Sequence, residues 1–154
     1  MVIIALNSLA LLGTRERQAS ALRAVGRNLR PGGLAVIDVW LPDLDDLALY
    51  DGRLNFEWER TDPETGERVA KIDAARLDAA TGHVELVTWF DAWPTERGPV
   101  SRISRTDQLR LVTAGELAAM AEAAGLIVEA IEGDHTGGPF GPGAERAVLL
   151  ARLV

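Results

Sequence analysis

Cysteine is absent from this chain of 154 residues, so the sequence excludes disulfide bonds and thiolate metal sites. Histidine occurs only at His83 and His135, which leaves too few ligands for a zinc site, and we expect no bound metal. No apolar run approaches the roughly 20 residues that cross a bilayer. Residues Met1–Ala10 are too short for a signal peptide and follow no basic leader. The sequence therefore predicts a soluble, cytoplasmic protein without a membrane partner.

Lysine is nearly missing as well, because Lys71 is the only one, and the formal net charge is −7. Nucleic-acid binding needs a basic face that offsets the repulsion between the protein and the phosphates. The arginines of this chain are scattered along the sequence and form no cluster. We therefore expect no nucleic-acid partner.

The N-terminal part has the pattern of a strand, a helix and a second strand. Val2–Leu6 is a short apolar run rich in β-branched side chains, which favours a buried strand. Thr14 is the expected N-cap of a helix that stops at Arg30–Gly33, because the proline there cannot continue it. Leu34–Leu41 is a second apolar strand. Such a β-α-β unit predicts parallel strands with helices covering the sheet.

Residues 52–112 change in character and predict an antiparallel sheet. Two turns of the pattern Asp-x-x-Thr-Gly lie at 62–66 and 78–82, and glycine at the end of each loop suits a backbone with positive φ. The expected strands are Phe56–Thr61, Arg68–Leu77, His83–Trp93 and Val100–Val112. We expect residues 52–112 to form an antiparallel β subdomain inserted into one partial domain that spans 1–154.

The last part of the chain predicts a helix followed by two strands. Thr113 and Glu116 have the spacing of a capping box, in which each side chain satisfies a free backbone amide. Gly125 is the expected C-terminal stop of this helix. Ile127–Ile131 and Ala147–Val154 are predicted strands, and the long loop between them favours an antiparallel pair.

This order of elements resembles the C-terminal half of the class I, S-adenosylmethionine-dependent methyltransferases. The resemblance is carried by "ALNSLALL", "LRAVGRNLRPGGLAVIDVWLP", "LRLVTAGELAAMAEAAGLIVEAIEGD" and the closing "AVLLARLV", which cover most of the chain. In that family a Pro-Gly-Gly turn precedes the fifth strand and a helix ending in Ala-Gly precedes the sixth, so Val2–Leu6 matches the fourth. The implied fold is α/β, a partial Rossmann-like methyltransferase sheet with an inserted antiparallel β subdomain.

One departure from the family bears on the cofactor. The family's glycine-rich cofactor loop follows its first strand, and no such segment occurs in this sequence. The run "GGPFGPG" is interrupted by proline and precedes a predicted strand rather than a helix. The resemblance thus implies S-adenosylmethionine as the cofactor, but it predicts weak binding by this chain alone. We expect the C-terminal part of a methyltransferase that acts on a small-molecule acceptor.

Two residues that follow the first strand are candidate cofactor contacts. Ligands of open parallel sheets bind beyond the carboxyl ends of the strands. Asn7 and Ser8 occupy this position and would face the methyl end of the cofactor or the substrate. The alternative is that they form a turn and cap local backbone groups.

Five further residues are candidate substrate contacts: Asp38, Trp40, Arg110, His135 and Phe140. Asp38 would orient an amine or hydroxyl of the acceptor or act as a base, or else bond to neighbouring backbone. Trp40 shares its face and would form a pocket wall. Arg110 ends the last strand of 52–112, where a surface salt bridge is the alternative. His135 and Phe140 lie in a loop that would close over the substrate, with His135 as a proton acceptor or simply solvated.

Two other functions remain open. The first is a non-catalytic module that binds a small apolar ligand or dimerises, because aromatic side chains in 52–112 would supply a pocket, a core or a dimer contact. The second is one half of a split methyltransferase whose cofactor half is a separate chain. Val2–Leu6 would be an exposed, uncharged edge strand, so we expect a homodimer or a missing N-terminal half as partner.

Overall fold

Two four-stranded sheets and three α-helices form the computed structural model, which describes residues 1–95 and 98–154. Within this part of the chain, no helix combines the length and the apolar character that a membrane crossing needs. In chain order the elements are β1 (Val2–Ile4), a 3₁₀ turn (Ala10–Leu12), α1 (Arg15–Asn28), β2 (Leu34–Trp40), α2 (Leu44–Ala48), β3 (Asn55–Thr61), β4 (Arg68–Asp78), β5 (His83–Trp93), β6 (Ser101–Arg110), α3 (Ala114–Ala123), β7 (Leu126–Glu132) and β8 (Arg146–Leu153).

The first sheet has the strand order β1-β2-β8-β7. Strands β1 and β2 are parallel, whereas β8 pairs antiparallel with both β2 and β7. The predicted β-α-β unit and the antiparallel final pair are therefore confirmed. The first strand is shorter than predicted and ends at Ile4, because Leu6 and Asn7 have φ angles of 54° and 59° that no strand accommodates.

Local signals fix the two long helices. Thr14 accepts a hydrogen bond from the Arg17 N–H and caps α1 as predicted. Thr113 and Glu116 form the predicted capping box at the start of α3. Gly26 is required where the helices meet, because a Cβ there would lie 2.8 Å from the Ala124 carbonyl oxygen.

The core lies between these helices and one face of the first sheet. Leucine and other apolar side chains of α1 and α3 pack on alternate residues of β2 and β8. The residues that form its centre, each fully buried, are Leu22, Ile37, Leu117, Ala121, Leu149 and Ala151. This burial, at about 25 cal/mol per Å² of apolar surface, is the main stabilisation of the fold.

The second sheet has the order β3-β4-β5-β6 and is antiparallel throughout. Gly66 and Gly82 close its turns with φ angles of 73° and 70°, as the repeated turn pattern predicted. The strand register places Lys71 and Asp73 on the same face as Leu86, and this face lies towards the residues that follow β1 and β2. The interpretation of residues 52–112 as an inserted subdomain stays a prediction.

Gln18, on α1, joins the two sheets through its buried amide. Its exposed fraction is 0%, and its Nε2 donates to the carbonyl oxygens of Leu9 and Arg110 at 3.2 and 3.0 Å. The Arg110 Nη1 donates in return to the Gln18 Oε1 at 3.0 Å. Since Leu9 follows β1 and Arg110 ends β6, one side chain ties the first sheet, α1 and the second sheet together.

We predict that Gln18→Leu lowers the free energy of unfolding by about 1–3 kcal/mol at nearly unchanged side-chain volume, because the Arg110 carbonyl and guanidinium both lose their Gln18 partner and the Leu9 carbonyl keeps only its bond from the Leu12 N–H. Urea denaturation measures the change. Gln108→Leu is the matched control, since Gln108 is exposed on β6 and, among the described residues, its side chain bonds only to that of Glu85. Its effect should stay within about 0.5 kcal/mol. Equal losses in the two variants would contradict a joining role for Gln18.

Candidate functional site

The carboxyl ends of β1 and β2 meet at one edge of the first sheet, the place where open α/β sheets bind ligands. Leu6 and Asn7 follow β1 in the left-handed conformation. Asparagine tolerates this conformation, but for leucine it costs roughly 1–2 kcal/mol. The turn brings Asn7 to β2, where its Oδ1 accepts a hydrogen bond of 3.3 Å from the Trp40 N–H. Leu6–Asn7 is therefore a strained turn at the sheet edge where open α/β folds bind ligands.

Asp38 is the buried carboxylate that holds this turn. It lies on β2 and is only 3% exposed. Its Oδ2 accepts a hydrogen bond from the Leu6 N–H at 3.2 Å, and its Oδ1 accepts one from the Arg146 Nη1. The His135 Nε2 lies 3.3 Å from the same Oδ2. Protein groups thus occupy both oxygens, which favours a positioning role, while direct contact with an acceptor stays a prediction.

Three of the predicted site residues, Asn7, Asp38 and His135, therefore come together from distant parts of the sequence. His135 is 58% exposed in its side chain, and its Nε2 lies 3.2 Å from the Arg146 Nη1. Arg146 was missed from the sequence, although it begins β8 opposite Trp40. Only the register between β2 and β8 reveals this position. A role of His135 as a proton acceptor stays a prediction.

Ser8 has a local role in the structure. It is exposed, and its hydroxyl donates to the Ala5 carbonyl oxygen at 2.6 Å. This bond closes the turn after β1, as the alternative interpretation expected. Contact of Ser8 with a cofactor stays a prediction, as it does for Asn7.

A cleft separates the carboxyl edge of the first sheet from the second sheet. One part, the Trp40 cavity, has a volume of about 230 Å³ and is lined by Trp40, Tyr50, Asn55, Glu57 and Asp73, among others. The other part, the Leu6 cavity, has about 330 Å³ and is lined by Leu6, Asn7, Lys71, Phe90 and Arg105, among others. Leu86 and Leu109 line both cavities, which therefore adjoin and form one inter-sheet cleft.

The Trp40 cavity combines aromatic walls with carboxylates. The rings of Trp40 and Tyr50 lie 6.5 Å apart, tilted by 47°. Burial raises the pKa of Asp73, and the neighbouring Glu57 carboxylate raises it further. Burial also raises the pKa of Tyr50, with a further contribution from Asp46, Asp73 and Glu57. Burial is the main cause of both pKa shifts, and the neighbouring carboxylates add to it.

Arg110 and Phe140 lie in a different place from the Asp38 group. They line a larger, open cavity of about 720 Å³ between the loop after β2, the β4–β5 turn and the start of α3. The Arg110 guanidinium donates to Gln18 and, at 2.7 Å, to the Glu116 carboxylate. Burial raises the pKa of Glu116, but the hydrogen bonds from Arg110 and the Thr113 N–H outweigh this and keep it below its usual value. We favour the inter-sheet cleft because Arg110 is already engaged; substrate contacts of Arg110 and Phe140 stay predictions.

The fold is that of S-adenosylmethionine-dependent methyltransferases. The chain superposes on such an enzyme from Clostridium acetobutylicum with a TM-score of 0.73 at 15% identity, covering 98% of this chain and 56% of that one. It superposes on the methyltransferase CcbJ from Streptomyces caelestis with a TM-score of 0.72 at 22% identity, covering 99% and 60%. For the sugar N-methyltransferase KedS8 from a Streptoalloteichus species the TM-score is 0.71 at 22% identity, covering 99% and 55%.

These comparisons establish the fold alone, and the chain spans less than two thirds of each of these methyltransferases. No protein-family model and no curated protein sequence matches the chain. The sheet predicted from the resemblance is thereby supported in its general form.

The cleft residues of the second sheet were also missed from the sequence. Lys71 and Asp73 alternate along β4 as in a half-exposed strand, which predicts only that the two share a face of the sheet. Glu57 lies on the neighbouring strand β3. A bulge at Phe56–Trp58 shifts the register of β3 and brings Glu57 close to Lys71 and Asp73. No sequence signal for this bulge was recognised.

We predict that Asp38→Ala lowers the free energy of unfolding by about 3 kcal/mol, because the Leu6 N–H and the Arg146 guanidinium both lose their partner. Asp38→Asn should cost less, since its amide oxygen still accepts the Leu6 N–H. Urea denaturation with Glu129→Gln as control gives the comparison, because Glu129 and Arg152 form an exposed pair worth at most about 1 kcal/mol. If Asp38→Ala behaved like the control, the positioning role would be wrong.

Proposed function

We propose that this chain forms the acceptor-binding part of an S-adenosylmethionine-dependent methyltransferase that acts on a small molecule. The observation that carries the proposal is the sheet β1-β2-β8-β7, in which the Leu6–Asn7 turn after β1 and Trp40 at the end of β2 line the inter-sheet cleft. The solved structures of the same fold support it, since they are methyltransferases and one is a sugar N-methyltransferase.

The described residues fit only part of the cofactor. By resemblance to the family, Asn7 and Ser8 would face the methyl end of the cofactor. Between β1 and α1 the only glycine is Gly13, and Thr14 already caps α1, so this connection offers no glycine-rich cradle of free backbone amides. The glycine-rich segment after β7 leads into β8, which has no helix dipole to hold a carboxylate. We therefore propose that a further polypeptide segment completes the cofactor site.

In this proposal the chain positions the acceptor, and the further segment holds most of the cofactor. Methyl transfer requires the attacking atom in line with the departing group, and holding both in place is the larger part of such catalysis. The inter-sheet cleft binds the acceptor between the two sheets. Asp38 acts indirectly, because its carboxylate binds the Leu6 N–H and so holds the Leu6–Asn7 turn at the cleft.

We predict that this chain alone binds S-adenosylmethionine weakly or not at all, because the groups for its methionine and ribose parts are missing. Isothermal titration calorimetry measures this directly. Saturable binding with a submillimolar dissociation constant would contradict the prediction. The matched control is the same domain with the completing segment, if the DNA upstream of the Met1 codon encodes an in-frame strand followed by Gly-x-Gly-x-Gly.

The same DNA distinguishes the forms of the proposal. An in-frame upstream segment would make this chain the C-terminal part of one enzyme. A neighbouring gene that encodes the motif would make it one half of a split enzyme, to be tested by mixing the two chains and measuring methyl transfer. Absence of both would favour the second candidate function, a non-catalytic module that binds a small ligand or dimerises.

The exposed edge of the first sheet agrees with either candidate function. Strand β1 pairs only with β2 within the described residues, and its Ile3 is 56% exposed. An uncharged edge strand of this kind tends to pair with another chain, so a homodimer or a missing N-terminal half as partner stays our proposal.

We predict a dimer or larger assembly at high concentration by light scattering, with β1 in the interface. Ile3→Lys should shift the chain towards a monomer, because a charge on an edge strand opposes pairing. Ile127→Lys is the control, since Ile127 is 55% exposed on β7 at the opposite edge. A monomeric wild-type chain would contradict the dimer, and a larger effect of Ile127→Lys would place the interface on β7.

A further inference from the structure

Aromatic side chains line one side of the Trp40 cavity, and carboxylates line the other. Trp40 and Tyr50 face it from the residues at and after the end of β2. Glu57 and Asp73 face it from the second sheet, where the Asp73 side chain is 16% exposed. The cavity therefore offers ring faces and carboxylates to one occupant. Both attract organic cations, the rings through their quadrupole and the carboxylates through their charge.

The positive charge within reach of these carboxylates is incomplete. The Lys71 Nζ lies 3.9 Å from the Glu57 Oε2 and 4.0 Å from the Asp73 Oδ2. In residues 1–95 and 98–154 no other basic side chain comes within 4.0 Å of either group. A single ammonium at this distance is thus shared between two carboxylates, with Asp46 as a third acidic side chain in the lining. Lys71 can balance only one of these negative charges, so the local charge stays negative and favours a cationic occupant.

This arrangement opposes folding instead of supporting it. The pKa of Asp73 lies above its usual value because burial and Glu57 both disfavour the charged form. For an acid whose pKa is raised in the folded state, stability falls as the pH rises through the ordinary carboxyl range. At neutral pH the Asp73 charge therefore costs stability. A residue that lowers stability at a cleft is retained more readily where it binds something.

The remaining lining of the cleft is largely apolar, and its volume suits a small carbon skeleton. Val84, Leu86 and Leu109 form the apolar part of the Trp40 cavity, and Asn55 adds a polar amide. Leu86 and Leu109 continue into the Leu6 cavity, next to the strained turn. The adjoining cavities together fall in the range of small-molecule sites, about 300–1,000 Å³.

We propose that the Trp40 cavity binds the acceptor through a protonated amino group, held between the carboxylates of Asp73 and Glu57 and the rings of Trp40 and Tyr50. The saturated carbon skeleton that bears the amine lies against Leu86 and Leu109. As methyl acceptor the amine would first give its proton to the carboxylate of Asp73 or Glu57, because only the neutral nitrogen has a lone pair that can form the N–C bond while the sulfonium S–C bond breaks and S-adenosylhomocysteine leaves. This role rests on the proposed function, whereas binding of the amine rests on the cavity alone.

Binding is tested on the whole chain with trans-4-aminocyclohexanol as the probe and trans-cyclohexane-1,4-diol as its neutral counterpart, without S-adenosylmethionine. Two-dimensional NMR follows the Trp40 indole N–H, the Asn55 side-chain amide and the Leu86 methyl groups. We expect saturable shifts at these groups with the amine and binding of the diol weaker by about tenfold or more. The proposal would be overturned if the two probes bound equally or if millimolar amine gave no saturable shift. It would also be overturned if the shifts were confined to the open cavity lined by Arg110 and Phe140.

Two variants separate the site from a structural role of the same residues. Asp73→Asn removes the charge at constant size, so amine binding should weaken by about tenfold while the urea midpoint stays equal or rises. Asp91→Asn is the control, because Asp91 lies on the opposite face of the sheet and pairs with Arg102. It should leave amine binding unchanged. Undiminished amine binding by Asp73→Asn would overturn the proposal, as would a lower urea midpoint in that variant.

The outcome is independent of the proposed function. If the amine binds but the completed protein transfers no methyl group, the cavity stands and only its assignment to an acceptor fails. If the completed protein methylates a substrate that carries no amine, the proposed function stands and the assignment of this cavity fails.

Discussion

The carboxylate of Asp38 is the constraint on which the ligand-facing edge depends. A buried charge is tolerated only where hydrogen bonds and opposite charges replace the water it has lost. Asp38 meets this condition by binding the Leu6 N–H, Arg146 and His135, which belong to three separate segments of the chain. The end of β1, the start of β8 and the loop before β8 are thereby fixed relative to β2.

The second sheet depends on its contact with the first. Its central strands bury few side chains, among them Ala75, Val84 and Thr88, so it has little core of its own. A sheet that is poor in buried apolar surface gains stability mainly by packing on a larger element. Here β6 packs on the 3₁₀ turn after β1, and Gln18 bonds to the backbone at its end. The inter-sheet cleft is the space that remains where this packing is incomplete.

The sequence was informative wherever the controlling interactions are local. Thr14, Thr113 and Glu116 act on backbone amides within three residues, so their caps were predicted correctly. The repeated turn pattern predicted the hairpins for the same reason. The site needed long-range register: Arg146 faces Trp40 only through the pairing of β2 with β8.

The left-handed turn after β1 illustrates the same limit. Nothing in "ALNSL" marks Leu6 for a positive φ angle, because a leucine there is stabilised by Asp38, which is 32 residues away in sequence. Likewise the side chains of β4 alternate in a way that the sequence reveals, but which face meets Trp40 is decided by the packing of two sheets. The sequence therefore revealed some candidate residues of the cleft from their position along the strands. It did not reveal which residues contact them.

The unfavourable features of the molecule are concentrated at this cleft. Throughout the described residues buried side-chain polar atoms have hydrogen-bond partners, and side chains cap the N-termini of α1 and α3. The cleft instead contains a leucine with positive φ and an aspartate whose pKa is raised by burial and by a second carboxylate. Packing alone would favour a neutral side chain at Asp73 and a glycine or asparagine at Leu6. Functional sites are where such local rules are expected to fail, so the position of these features agrees with the proposed binding role of the cleft.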